Sequence, residues 1–425
     1  MRVRCLGFLA VLSFAISACA EPNKPGIPTT SGGSYDWPQW RGPQRDDINK
    51  ETGLLKDWPK GGPPLAWEIK SLGGGYSTPS VAGGRIFGMS DRGKEEFVWA
   101  LDEANGKELW ATKISAWSGG GGTDGPRSTP TVEGDFLWTL GFHGDLVCLD
   151  VKSGEIKWQK NLHKEFKGQV GGWQYSESPL IDGEKLIATP GGKDAAIVAL
   201  NKKTGEVIWK AKVPGDDRAE YSSVIVAEIG GTRQYIQFMG GGVVAVAADD
   251  GKFLWRYDHP HNTTANCSTP VFHDGYVLAG SSYDAGAGLA KISGSDGSFQ
   301  AKEVYYTHEM KNHHGGFLLV DGYVYGENNG RLGCREFLTG KAMWENARTA
   351  GKGSITYADG RLYYREEGGA IFLIEANPKK YVEHGRFNQP DRSNHSAWPH
   401  PVIANGKLYI RDQDVLLCYD VKEKK

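Results

Sequence analysis

The chain has 425 residues in which 49 Lys and Arg stand against 51 Asp and Glu, so no net charge is available to recruit nucleic acid or an anionic membrane surface. A mean hydropathy of −0.46, with 59 Gly and 11% aromatic residues, excludes a bundle of membrane helices and suits a turn-rich β protein.

At the N-terminus Arg2 and Arg4 precede an apolar run, LGFLAVLSFAI (6–16), whose 11 residues are too few to span a bilayer. That is the pattern of a secretory signal peptide. Two cleavage readings are open. ISAC (16–19) fits a bacterial lipobox, which makes Cys19 the lipidated first residue. ACA (18–20) fits ordinary signal peptidase, which releases Glu21. The lipobox is preferred. It divides the chain into a signal peptide (1–19), a Pro-, Gly- and Ser-rich tether and leader (20–60), and a folded body (61–425).

Within the body one phrase recurs. VWALDEANGKELW (98–110), LVCLDVKSGEIKW (146–158), IVALNKKTGEVIW (197–209) and VVAVAADDGKFLW (243–255) each read as strand, turn, strand. The turn glycine returns at Gly106, Gly154, Gly205, Gly251, Gly297 and Gly340, at spacings of 48, 51, 46, 46 and 43. Four residues later stand Trp110, Trp158, Trp209, Trp255 and Trp344, with Ala301 in that slot of the fifth copy. A seventh copy, IFLIEANPKKY (371–381), lacks the glycine, and an eighth, VLLCYDVKEKK (415–425), ends where the turn should begin. A second phrase precedes each copy, as in YSTPSVAGGRIFGMS (76–90) and CSTPVFHDGYVLAG (267–280), and reads as two more short strands. Four strands per unit and eight units predict an all-β, eight-bladed β-propeller of four-stranded antiparallel blades. The last unit is one strand short. PPLAWEIKS (63–71), with Trp67 in the Trp slot, is predicted to close that blade from the N-terminal side and remove both free edges. Trp67, Trp110, Trp158, Trp209, Trp255 and Trp344 then serve as docking residues between blades.

Four cysteines lie beyond Cys19. Cys148, Cys334 and Cys418 take the slot that Ala100 holds in the first phrase. They sit in repeats too far apart for Cα atoms within about 7 Å, so they read as small buried apolar residues and not as a disulfide framework.

These phrases resemble the Trp-docking repeats of quinoprotein-like (PQQ-like repeat) eight-bladed propellers, and WPQWRGPQRDD (37–47) is similar to the leader of exported PQQ-like repeat proteins. Two branches of that group matter. The quinoprotein alcohol dehydrogenases use pyrroloquinoline quinone (PQQ) and a divalent cation. The outer-membrane assembly lipoprotein BamB and its relatives bind no cofactor. The dehydrogenase branch implies a vicinal cysteine pair, and this chain has no Cys-Cys; Glu177 and Asn266 are the nearest guesses for cation ligands. No PQQ with Ca2+ is therefore expected. The BamB branch implies a partner-docking loop in the fourth blade with apolar residues and an Arg. VPGDDRAEYSS (213–223) keeps Arg218 but has Asp216 and Asp217 in place of the apolar residues. The function implied is a lipid-anchored, non-catalytic binding scaffold in the periplasm or at the outer membrane.

Loops entering the first strand of each blade line the mouth of a propeller's central funnel. Tyr76, Arg127, Trp173, Glu177, His314 and Trp398 lie in such loops and are the candidate binding residues. Tyr175, Tyr221, Asn266, His313 and His395 neighbour them. Arg offers a fork for carboxylate or sulfate and Trp a flat face for a sugar ring or peptide side chain. The partner expected is thus an envelope protein, a glycan or a peptide, with no nucleic acid. The enzyme alternative is a polysaccharide lyase or hydrolase with a His or Tyr base beside a charge-neutralising Arg. In NHHGG (312–316) neighbouring strand side chains point to opposite faces, so at most one of His313 and His314 is expected to face the axis. No local spacing suggests a metal site.

Overall fold

The repeated hairpin folds as its residues dictate. An Asp or Asn at the end of the third strand caps the turn. Asp102 accepts from the Ala104 amide at 3.0 Å, Asp150 from Lys152 at 3.0 Å and Asn201 from Lys203 at 2.9 Å. The glycine that follows adopts φ of 73°, 74° and 73° at Gly106, Gly154 and Gly205, a conformation costly for any residue with a Cβ. The computed structural model describes residues 35–119, 123–215, 217–346 and 352–424, so Cys19 and the signal segment lie outside the described residues.

Eight such units form eight sheets round one axis. Blades 1 to 7 span 80–116, 131–161, 180–211, 225–257, 271–307, 317–345 and 353–388. Blade 8 comprises Val402–Ala404, Lys407–Asp412 and Val415–Asp420, and its fourth strand is Leu65–Lys70. Leu65 pairs with Tyr419 and Trp67 with Cys418, with the same bulge that sets Trp158 opposite Cys148. The N-terminal strand thus closes the ring. Cys148, Cys334 and Cys418 are buried free thiols. Among the described residues no helix is long and apolar enough to cross a membrane.

The Trp and the Gly of the phrase are partners across blades. A Cβ on Gly154 would lie 2.5 Å from the Trp110 ring, on Gly205 2.9 Å from Trp158, on Gly251 2.5 Å from Trp209, and on Gly106 2.9 Å from Trp67. Each indole lies flat on the turn of the next blade, which only a bare backbone permits. For four of the docking Trp the ring N–H donates to a carbonyl of the next blade: Trp110 to Val151 at 3.0 Å, Trp158 to Lys202 at 3.0 Å, Trp209 to Ala248 at 3.2 Å, Trp344 to Asn377 at 2.8 Å; that of Trp67 is buried without a partner among the described residues. Burial and a satisfied donor come from one residue.

Three blades depart from the expected pattern. In blade 4 Trp255 does not lie on the Gly297 turn: its ring N–H donates to Gln234 of its own blade at 2.7 Å, and the space over Gly297 is met by Lys252. In blade 5 the docking slot belongs to Tyr305, not to Ala301. The hairpin of Gly286–Ser295 and Ser298–Thr307 is longer, and Tyr305 pairs with Leu289 at the usual bulge. Its ring covers Gly340, and its hydroxyl donates to Phe337 O at 3.0 Å. In blade 7 the slot holds Gly385, and Trp58 from the leader packs onto it, edge-on to Phe387 at 5.4 Å between ring centres.

The leader is part of the propeller. Trp37 pairs with Val81 of blade 1, and Pro38 O accepts from Val132 of blade 2 at 2.8 Å. Arg45 donates to Ser178 O of the loop entering blade 3 at 2.6 Å. Arg41 donates to Phe317 O of blade 6 at 2.5 Å, Asp47 O accepts from Tyr357 of blade 7 at 2.8 Å, and Asn49 donates to Ile403 O of blade 8 at 2.7 Å. A stretch this short touches so many innermost strands only by lying on the axis. Arg41 and Asp47 form a buried ion pair there, 2.5 Å apart, with side chains 1% and 0% exposed.

Candidate functional site

The STP phrases stitch neighbouring blades together at one end of the axis. The Ser77 hydroxyl donates to Ser128 O at 2.7 Å, Ser178 Oγ accepts from the Thr129 amide at 2.9 Å, and Ser223 Oγ from the Ser178 amide at 3.0 Å. The Thr356 hydroxyl donates to Pro401 O at 2.7 Å, and Thr78 Oγ1 accepts from the His400 amide at 3.0 Å, which joins blade 8 to blade 1. These bonds fix the loops whose remaining side chains enclose a cavity of about 130 Å³.

Five of the six candidates from the sequence line that cavity: Tyr76, Arg127, Trp173, His314 and Trp398. They come from loops of different blades, brought together by strand polarity. The Tyr76 and Trp398 rings lie 4.6 Å apart, and Trp173 meets Tyr221 edge-to-face at 5.8 Å. The Arg127 guanidinium sits over Tyr76, Phe142 and Trp398 at 5.3, 5.7 and 5.8 Å, a cation held against aromatic faces. It also donates to Gly125 O at 2.9 Å, to Trp173 O at 3.3 Å and to Thr123 O. Burial lowers its pKa.

Glu177 is not in the mouth. It is 2% exposed inside the wall, where its carboxylate accepts from the Thr189 amide at 2.7 Å and the Thr189 hydroxyl at 2.9 Å. Asn266 is fully buried, its side chain tied to Asn262 and to Met239 O. His395 is exposed at a distance from the cavity lining. His313 and His314 both line it, against the expectation of opposite faces. Residues 312–316 form no strand, so alternation does not apply. His313 Nε2 lies 3.0 Å from the Tyr283 hydroxyl and its Nδ1 3.3 Å from His314 Nδ1. Burial pulls His313 down to about 4 and His314 well below the usual imidazole range, so both are neutral. His400 closes the set, its Nε2 3.1 Å from His314 O.

Sequence reasoning missed the floor. Trp40 of the leader lines the cavity, donates to the Thr269 hydroxyl at 3.0 Å and packs on the His400 ring at 4.5 Å. The signal was present in WPQWRGPQRDD, whose two Trp and two Arg are foreign to a solvated tether.

The donor set bears on a cofactor. Among the described residues no Asp or Glu lines the cavity. The two nearest guesses for cation ligands, Glu177 and Asn266, are committed inside the walls. Among the described residues no group of three or more His, Cys, Asp and Glu is placed to hold a metal ion. A hard divalent cation takes oxygen ligands, so these walls do not fit a quinone paired with one.

A family model described as outer membrane protein assembly factor BamB matches residues 94–346, more than half of the 425. The chain belongs to the BamB family. It is 24% identical over 250 residues to BamB of Yersinia pestis, covering 56% of each chain, and 25% identical over 242 residues to BamB of Burkholderia pseudomallei. The chain spans about half the length of these curated relatives, 56% and 58%. It is also 27% identical over 195 residues to the quinohemoprotein alcohol dehydrogenase ADH IIB of Pseudomonas putida, covering 42% of this chain and 27% of that one. A solved quinohemoprotein alcohol dehydrogenase from the same species superposes with a TM-score of 0.67 at 13% identity, covering 92% of this chain and 81% of that one. That likeness is one of fold. In this BamB-family chain Asp217 and Arg218 of the loop entering the fourth blade are engaged within the protein. Arg218 pairs with Glu220 at 2.6 Å and donates to Thr263 O at 2.9 Å, while Asp217 pairs with Arg256 at 2.6 Å; Asp216 lies outside the described residues.

Burial pushes the Glu177 carboxyl up to about 7. A carboxyl whose folded pKa is raised binds its proton more tightly in the fold than in the unfolded chain. Its contribution is therefore complete below about pH 4.5 and lost as the pH rises to about 7. Glu177→Gln stays neutral throughout. Its thermal midpoint, relative to wild type, should climb between about pH 5 and about pH 8. A difference that stays constant over that range would mean that Glu177 ionises without penalty.

Proposed function

We propose that this BamB-family propeller is an exported scaffold of the cell envelope, lipid-anchored at Cys19, that holds a partner's segment or a small ligand in its funnel mouth without covalent chemistry. One observation carries the reading: the leader and loops from separate blades converge Trp40, Trp173, Trp398, Tyr76, Tyr221 and Tyr283 on one cavity. Aromatic side chains give large contact area at low entropy cost. The walls are held by hydroxyl stitches, and their ionisable groups are neutral or already engaged. The relatives described as outer membrane protein assembly factors support an envelope role.

Fractionation followed by cross-linking in native envelopes tests both halves. Wild type should sediment with membranes and Cys19→Ser should not. Trp173→Ala should weaken capture of whatever wild type recovers by more than about 1 kcal/mol, or roughly fivefold in affinity. Equal recovery by wild type and Trp173→Ala would remove the mouth from the function. The polysaccharide-cleaving alternative has one observation in its favour, the Tyr283–His313 pair on the wall at 3.0 Å. New unsaturated or reducing ends on an acidic glycan would select it.

A further inference from the structure

We propose that the funnel mouth is a pocket for the terminal ring of an uncharged glycan chain. The proposal rests on the reading of the mouth as a binding site and specifies its ligand. Shape comes first. The leader stops the channel, with Trp40 as floor. A chain cannot be threaded through or laid across a dead end; it enters by its tip. A cavity of 130 Å³ is roughly ten times what one water needs, the scale of a small ring and not of a folded segment.

The walls come next. Rings of Trp173, Trp398, Tyr76 and Tyr221 offer apolar faces, and between them stand Ser176, Ser178 and Ser223. A pyranose has C–H faces and a rim of hydroxyls, which matches an aromatic wall with sparse polar points. Ser176 Oγ and His314 Nε2 of the lining are both buried with no hydrogen-bond partner among the described residues. They belong to the loops of blades 3 and 6. Hydroxyls on a ring's rim can donate to one and accept from the other, whereas an aromatic peptide side chain fills the same walls and leaves both unpaired, at a cost.

Charge decides against an acidic ring. The Arg127 guanidinium is already shared among three carbonyls and three aromatic faces. A uronate would have to take it from them. The His313 and His314 imidazoles are neutral, and Lys352 stays over the Tyr283 ring at 5.9 Å. A carboxylate in such surroundings carries a desolvation cost that a neutral ring avoids.

The test uses the full-length protein. Linear neutral hexose tetrasaccharides of several linkages, the same chains blocked by bulky groups at both ends, the corresponding uronate series and aromatic tripeptides are each titrated, with tryptophan fluorescence as readout. At least one neutral series should bind and its doubly blocked form should not. Trp173→Ala should weaken that binding more than about tenfold. Ser176→Ala, which removes a single unbonded atom and leaves the thermal midpoint unchanged, should weaken it severalfold. Tighter binding of uronates, or equal binding of blocked chains, would overturn the proposal. Tripeptides that bind in place of glycans and are lost in Trp173→Ala would also overturn it, while the mouth stays a binding site. If no probe binds but Trp173→Ala still abolishes capture in envelopes, the glycan alone is wrong. If that capture is also unaffected, both readings fall.

Discussion

Replacing residues 65–70 by a Gly-Ser run of equal length should lower the thermal midpoint by about 10 °C or more and promote aggregation. The substitution keeps the reach between leader and blade 1 and removes only the strand. Three losses follow. The antiparallel ladder onto Val415–Asp420 disappears. Trp67 and Ile69 leave the surface of Gly106, opening the seam between blades 8 and 1. The strand VLLCYD (415–420) becomes an unpaired, nearly uncharged edge, which is a template for intermolecular pairing. Loss of a docked Trp alone costs about 3–5 kcal/mol in a packed core, and less where it is only partly buried, as here. Scanning calorimetry with light scattering checks the result. An unchanged midpoint in a monodisperse sample would mean that blade 8 is complete without its N-terminal strand.

Arg41→Met should be the most damaging single substitution in the leader. It removes a guanidinium that pairs with Asp47 at 2.5 Å and donates to Phe317 O at 2.5 Å and Thr269 O at 3.3 Å. Asp47 is fully buried. What is left is an uncompensated charge on the axis, beside a His400 ring 3.7 Å away. Breaking a buried pair from one side costs about 3–5 kcal/mol. Adding Asp47→Asn to Arg41→Met removes the stranded charge and should recover most of the loss. Denaturant midpoints for wild type, both single variants and the double variant form the cycle. A double variant no better than Arg41→Met would place the cost in lost packing and not in the charge.

The blades were legible because they repeat. A Gly and a Trp four residues apart recur for one physical reason, an indole lying on the next blade's bare turn, and any copy of that pair reveals the period. Where the reason changes, the pattern misleads: Ala301 stands at the right distance from Gly297, but the longer hairpin hands the slot to Tyr305. The mouth was legible in part, since strand polarity alone sends the loops before first strands to one end. Direction within a loop was not. Glu177 lies next to the cavity-lining Ser176 and Ser178 yet turns into the wall toward Thr189. The plug's partners were illegible, because the leader repeats nothing and they are scattered from Val81 to Ile403.

That scatter also sets an order of events in time. The leader is made first and seated last. Asn49 finds Ile403 across 354 positions, and Tyr35 finds Asn405 across 370. Closing a loop of that length costs about 5 kcal/mol of chain entropy by the logarithmic rule, and the contacts that offset it exist only once blade 8 has been synthesised. Until then the blades are an open arc with a bare flank at each end, and Leu65–Lys70 has no strand to pair with. Every chain therefore passes through a vulnerable interval that ends in one step, when its first folded residues meet its last.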